Sequence, residues 1–170
     1  MIGGLATPAA RERCRATLER LLAEEWTALQ SLETLLGTER DVLTRNESPE
    51  ELEGVCARRQ DAMGALLRIQ DERGGVLRML GCEADAAGLE RVVRECDPQR
   101  TLPPRWERCA ELARRCRELN DFNGALVATR MRRVEGLLEV LTGRKPQVPT
   151  YGRQGHQAWM SAGRLLATEA

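Results

Sequence analysis

The sequence predicts an all-α protein: a long antiparallel helical hairpin or bundle of three long helices plus a short one, with a flexible C-terminal tail. Three observations predict it. Leu, Ala, Arg and Glu dominate the 170 residues, while the only aromatics are Trp26, Trp106, Phe122, Tyr151 and Trp159, a mix rich in helix formers and poor in strand formers. Apolar residues recur at steps of three and four over long stretches, which is the repeat of one helix face. Proline is confined to the junctions between those stretches. With 42% hydrophobic and 31% charged residues, the chain carries one core's worth of apolar side chains and folds in water.

The first element spans residues 9–43, whose apolar stripe is Cys14, Leu18, Leu21, Leu22, Leu29, Leu32, Leu36 and Leu43. A helix of that length runs about 50 Å and needs a partner along all of it. In the turn that follows, Ser48 caps the next helix, Pro49 suits its first position and Glu51 completes a capping box. The second helix presents Leu52, Val55, Cys56, Met63, Leu66, Leu67, Ile69, Val76, Leu77 and Leu80, and packs antiparallel to the first. Gly74-Gly75 is expected to fray or bend it, and Gly81 to end it. Asp85 caps a short helix with Leu89, Val92 and Val93 inward, and residues 97–104 form a proline-rich loop that stops any helix.

Residues 105–142 contain Asn123-Gly124, a pair that ordinarily marks a turn. Yet Cys109, Leu112, Cys116, Leu119, Asn123, Val127, Met131, Val134, Leu138 and Leu141 hold a mean step of about 3.6 residues across it, which predicts one continuous helix with Asn123 on the buried side. Gly143 is a stop residue. Residues 1–142 therefore form the bundle domain and residues 143–170 a linker and tail. In the tail, Trp159, Gly163 and Leu166 share a helical face, on a piece too short to be stable alone. Such a piece docks on its own bundle or orders when a partner supplies the other apolar face.

Twenty-six basic residues balance twenty-six acidic ones, so no net field points to nucleic acid. The balance is uneven along the chain: residues 1–104 hold 14 basic and 19 acidic side chains, residues 143–170 hold 4 and 1. The N-terminus lacks the basic start and apolar run of a signal peptide, and no apolar stretch is long enough to insert in a membrane, so the expected location is cytoplasmic. None of the six cysteines forms a CxxC pair or is spaced with the single histidine, His156. Cys109 and Cys116 read as small core residues, and Trp26 and Trp106 as hairpin core. One histidine leaves no general-base pair, no HExxH and no Glu-x-x-His, and residues 143–145 are no P-loop. No catalytic residue, metal ligand or cofactor is expected. The carboxylates are assigned to solvated faces or to ion pairs with arginine. What is left is a non-enzymatic helical bundle that binds another protein.

The last third narrows the partner. Glu118-Leu119-Asn120-Asp121-Phe122-Asn123-Gly124, then Leu137-Leu138-Glu139-Val140-Leu141 and Tyr151-Gly152-Arg153-Gln154-Gly155, resemble the FlgN family of flagellar export chaperones. That family shows a Leu-Asn-x-x-Asn-Gly element in its last long helix and a Tyr-Gly-x-x-Gly element in its tail. This chain departs from it in Thr150, where an aliphatic residue is common, and in a more apolar tail end. The resemblance implies a cytoplasmic chaperone that binds the C-terminal helical region of flagellar hook-associated proteins, prevents their premature assembly and delivers them to the type III export gate. It implies cargo binding by Leu119, Asn120, Asn123 and Gly124, with Trp159, Leu165 and Leu166 as further groove candidates. Tyr151, Gly152 and Gly155 would then dock on an export-gate component. The alternatives are a coiled-coil adaptor or self-assembling bundle without an export role, and a thiol-responsive regulator using the cysteines, to be tested at Cys109 and Cys116. Monomer and helix-swapped homodimer both stay open.

Overall fold

A computed structural model describes residues 2–45 and 48–143. A single 3-10 turn, Gly3–Leu5, precedes helices α1 (Pro8–Arg45), α2 (Pro49–Met79), α3 (Ala86–Cys96) and α4 (Leu102–Thr142). The fold is all-α, and each helix boundary has a local cause. Thr7 Oγ1 accepts the Ala10 N–H at 3.1 Å ahead of α1, and Ser48 Oγ accepts the Glu51 N–H at 3.3 Å ahead of α2. α2 passes through Gly74 and Gly75 without the expected fraying and ends at Gly81, whose φ of 71° is the left-handed position that glycine occupies without strain. There the Cys82 N–H returns to the Leu77 carbonyl at 3.0 Å. Asp85 caps α3 through the Gly88 N–H at 2.7 Å. At Gly88 a side chain is excluded, because a Cβ would lie 2.1 Å from the Glu83 carbonyl oxygen.

The proline-rich stretch is shorter as a loop than the sequence suggests. α4 begins at Leu102 rather than after Pro104, so Pro103 and Pro104 sit in its first turn. Proline is tolerated there because first-turn N–H groups have no intrahelical acceptor to lose. Asp97 organises the entry: its buried carboxylate accepts the Leu102 N–H at 2.8 Å and the Thr101 hydroxyl at 3.0 Å.

Pairwise contacts fix the helix directions. Arg73 meets Glu25 at 2.6 Å and Arg59 meets Glu39 at 3.0 Å, so numbers fall on α2 as they rise on α1 and the two helices are antiparallel. Cys109 reaches Leu22, Cys116 reaches Leu29 and Asn123 reaches Leu36, a constant separation of 87 that makes α4 parallel to α1. α2 brings the chain back to the end where α1 begins, and the short α3 lies in the connection from there to α4. Every residue of the predicted α1 stripe is buried. On α2 only Val55, Ile69, Gly74 and Leu77 are fully buried. Leu67 is exposed, since neighbouring Leu66 and Leu67 project about 100° apart and only Leu66 packs against the core. Trp26 and Trp106 are partly buried rather than central. Arg108 covers the Trp26 ring at 4.8 Å and Arg73 the Trp106 ring at 4.6 Å. The chain divides into two compact units, Met1–Asn123 and Gly124–Ala170, with the boundary inside α4.

Candidate functional site

Within the first unit, α4 is stitched to α1 at every second turn. Cys109 Sγ donates to the Leu22 carbonyl at 3.7 Å, Cys116 Sγ to Leu29 at 3.6 Å, and Asn123 Nδ2 to Leu36 at 2.9 Å. Short side chains at this seven-residue spacing reach the facing α1 carbonyls directly. Burial pushes both thiols up to about 11, so they stay protonated and able to donate. A reactive cysteine needs thiolate, and these two positions have little to offer a thiol regulator.

Asn123, 2% exposed, is the centre of a buried polar knot. Its Nδ2 also donates to Glu39 Oε2 at 2.9 Å, the same oxygen that Arg59 Nη1 reaches at 3.0 Å. Arg59 Nη1 lies 3.3 Å from Asn120 Oδ1 as well, and Cys56 Sγ donates to Glu39 Oε1 at 3.6 Å. The carboxylate sets the orientation of the amide, because turning Asn123 over would place oxygen against oxygen. Asn123 Oδ1 is left buried without a hydrogen-bond partner among the described residues. Burial first, then the Glu39 charge, pushes the Cys56 thiol above its ordinary range. The knot joins α1, α2 and α4 through residues far apart in the chain, and its bonds are internal ones.

Glu39 is 4% exposed and pairs with Arg59 of α2, a buried cross-helix pairing with arginine rather than one at an i,i+4 step. The signal was present in the chain. Leu29, Leu32, Leu36 and Leu43 leave a gap of seven residues after Leu36, and Glu39 is the stripe position inside it. Of the predicted cargo residues, Leu119 is partly buried against the core and Asn120 is exposed with Arg59 beside it. Gly124 is exposed, and a Cβ built there meets nothing within 4 Å, so no close helix approach accounts for the glycine among the described residues. Tyr151, Gly152, Gly155, Trp159, Leu165 and Leu166 lie outside the described residues.

In the second unit the same repeat continues uncovered. Val127, Met131, Val134, Leu138 and Leu141 step by four, three, four and three along one face of α4, with exposures from 42% to 80%. Leu137 and Val140 widen it. Seven large aliphatic side chains exposed on one short stretch of helix make an interaction surface rather than ordinary surface scatter. A groove of about 690 Å³ beside α1 and α2 is a poorer candidate. Its apolar lining is mostly Ala23, Ala28, Ala62 and Ala65, which offer little area to bury.

The family model for FlgN protein matches residues 15–158, most of the chain. The chain belongs to the FlgN family. FlgN proteins are flagellar export chaperones that bind hook-associated proteins, a chaperone family and not an enzyme family. The match takes in the knot, the exposed α4 face and the Tyr151-Gly152 element, and stops before Trp159. No curated protein and no solved structure matches the chain. Among the described residues, no helix is long and apolar enough to cross a membrane.

Proposed function

We propose that this FlgN-family chain binds the C-terminal helical region of a hook-associated protein in the cytoplasm, keeps it from assembling early and hands it to the export gate. The observation that carries the reading is the uncovered aliphatic face from Val127 to Leu141. Subunits that polymerise through amphipathic helices must have those helices hidden before export, and an aliphatic helix face hides one by the same burial that would drive assembly. Covering some five aliphatic side chains supplies roughly 8–15 kcal/mol gross. Ordering and association costs reduce this to micromolar or nanomolar binding, tight enough to protect cargo and loose enough to release it.

The Leu-Asn-x-x-Asn-Gly element then acts mainly through the helix. Asn120 and Asn123 hold α4 in register on its neighbours, Leu119 packs beneath, and Gly124 opens the stretch that meets cargo. Tyr151, with Gly152 and Gly155, is proposed to dock on an export-gate component through an aromatic ring with a polar tip.

The test is light scattering on the size-separated chain, alone and with the C-terminal helical region of a hook-associated protein. One chaperone per cargo chain is expected, and Leu138→Asp should weaken binding at least tenfold. A stable oligomer that ignores cargo would replace this reading with the coiled-coil adaptor. Tyr151→Ala should leave cargo affinity unchanged and weaken capture by the export gate; equal capture removes Tyr151 from that role.

A further inference from the structure

The exposed face of α4 has a candidate occupant in its own chain. Residues 134–142 carry Glu135 and Glu139 and no basic side chain, beside Val134, Leu137, Leu138, Val140 and Leu141. Residues 143–170 carry Arg144, Lys145, Arg153 and Arg164 against the single acid Glu169. In that basic segment Trp159, Gly163 and Leu166 recur at helical spacing, with Met160, Ala162 and Ala167 beside them and Arg164 on the other side. The stretch 134–142 is aliphatic with two acids, and residues 157–167 are apolar with one charged side chain, Arg164. The family match ends at residue 158, so this apolar segment lies outside what the FlgN pattern covers.

Length permits the contact. The face from Val127 to Leu141 is about 21 Å long at 1.5 Å per residue. Residues 144–156 between α4 and the apolar segment reach about 43 Å when extended, more than enough to turn back along the helix. Joined by so short a connection, the two pieces meet at an effective concentration near the millimolar range. A pairing too weak to hold two separate chains together at micromolar concentration is therefore populated within one.

We propose that residues 157–167 cover the α4 face between Val134 and Leu141 when no cargo is bound, and that cargo binds by displacing them. Trp159 and Leu166 then fill the groove in the free chaperone, and the cargo helix replaces them. The displacement half rests on the α4 face being the cargo site; the covering half does not.

Hydrogen exchange on the full chain, read peptide by peptide, tests both. Amides of 131–142 should exchange at least tenfold more slowly in the natural chain than in the full-length double variant Trp159→Asp, Leu166→Asp, while those of 109–123 stay alike. Equal rates at 131–142 overturn the covering contact. Protection that grows between 1 and 100 μM protein overturns it too, by assigning the face to a second copy. With cargo peptide, the double variant should bind at least threefold more tightly. Weaker binding would make these residues cargo contacts and overturn the displacement. If the exchange difference stands while neither chain binds cargo, the covering contact survives and the chaperone reading fails.

Discussion

The two halves of α4 carry the same repeat and meet opposite fates. Cys109, Leu112, Cys116 and Asn123 are all 5% exposed or less, whereas Val127, Met131, Val134, Leu138 and Leu141 are at least 42% exposed. Period, residue type and helix continuity do not distinguish them. What differs is whether a second element is present to receive the face, and at the covered positions α1 supplies Leu22, Leu29 and Leu36 at matching spacing. A helical apolar repeat therefore predicts a face that wants a partner. It does not say whether that partner lies within the fold.

The sharpest way to break the contrast is truncation on each side of it. Leu112→Ala, at a 1% exposed position, should lower stability by roughly 2–5 kcal/mol through lost burial and the cavity left behind. Leu138→Ala should cost no more than about 1.4 kcal/mol, the tenfold protection that the proposed tail contact supplies. Urea denaturation of both variants checks this, and equal losses would mean that the second half is covered as the first is. Next in size is the knot. Asn123→Ala withdraws a donor from the buried Glu39 carboxylate and should cost roughly 1–3 kcal/mol, with Asn120→Ala costing under about 1 kcal/mol because Asn120 is exposed. Indistinguishable urea midpoints for the two would deny Asn123 its central place.

A third prediction concerns the start of the covered half. Burial opposes the Asp97 charge, but bonds from the Leu102 N–H and from Thr101, with Arg15 nearby, outweigh it and hold the carboxyl below its ordinary range. A depressed folded pKa contributes stability that is present above the ordinary value of about 3.9 and is lost as pH falls through the folded one. Urea midpoints measured from pH 6 down to 2 should therefore fall less steeply below about pH 4 in Asp97→Asn than in the natural chain. At neutral pH that variant should be less stable by about 1 kcal/mol, the usual cost of a weakened helix-start contact. Superimposable acid limbs would show that Asp97 is not held this way. The smallest effect is expected at the junction of the halves: Gly124→Ala enters open space in a helix and should stabilise by about 0.5–1 kcal/mol. Destabilisation would reveal a neighbour at Gly124, and a tenfold loss of cargo affinity would make it a contact.

Much of this was legible in the chain. The α1 stripe, the Ser48 and Asp85 caps, the stop at Gly81 and the inward Asn123 follow from period, capping chemistry and backbone freedom, all of which act over a few residues. The FlgN motifs were readable for the same reason, since each is a short run at fixed spacing. Pro103 and Pro104 misled because proline's meaning depends on its place in the helix, and only the Asp97 carboxylate on the Leu102 N–H set where the helix began. Glu39 holds a stripe position, but the stripe alone does not say that a carboxylate there is buried. A carboxylate on a buried stripe is stable only if donors from elsewhere satisfy it, and Arg59, 20 residues away, and Asn123, 84 away, do so.

The sequence by itself determined helix content, the apolar faces those helices present and the family, because these depend on local repeats and motifs. Only the tertiary structure decided the parallel pairing of α4 with α1, the internal hydrogen bonding of the motif asparagines and the exposure of the aliphatic face on 127–141. Each of those depends on which distant element occupies the space beside a side chain, and a helical repeat is the same whether that space is filled or empty.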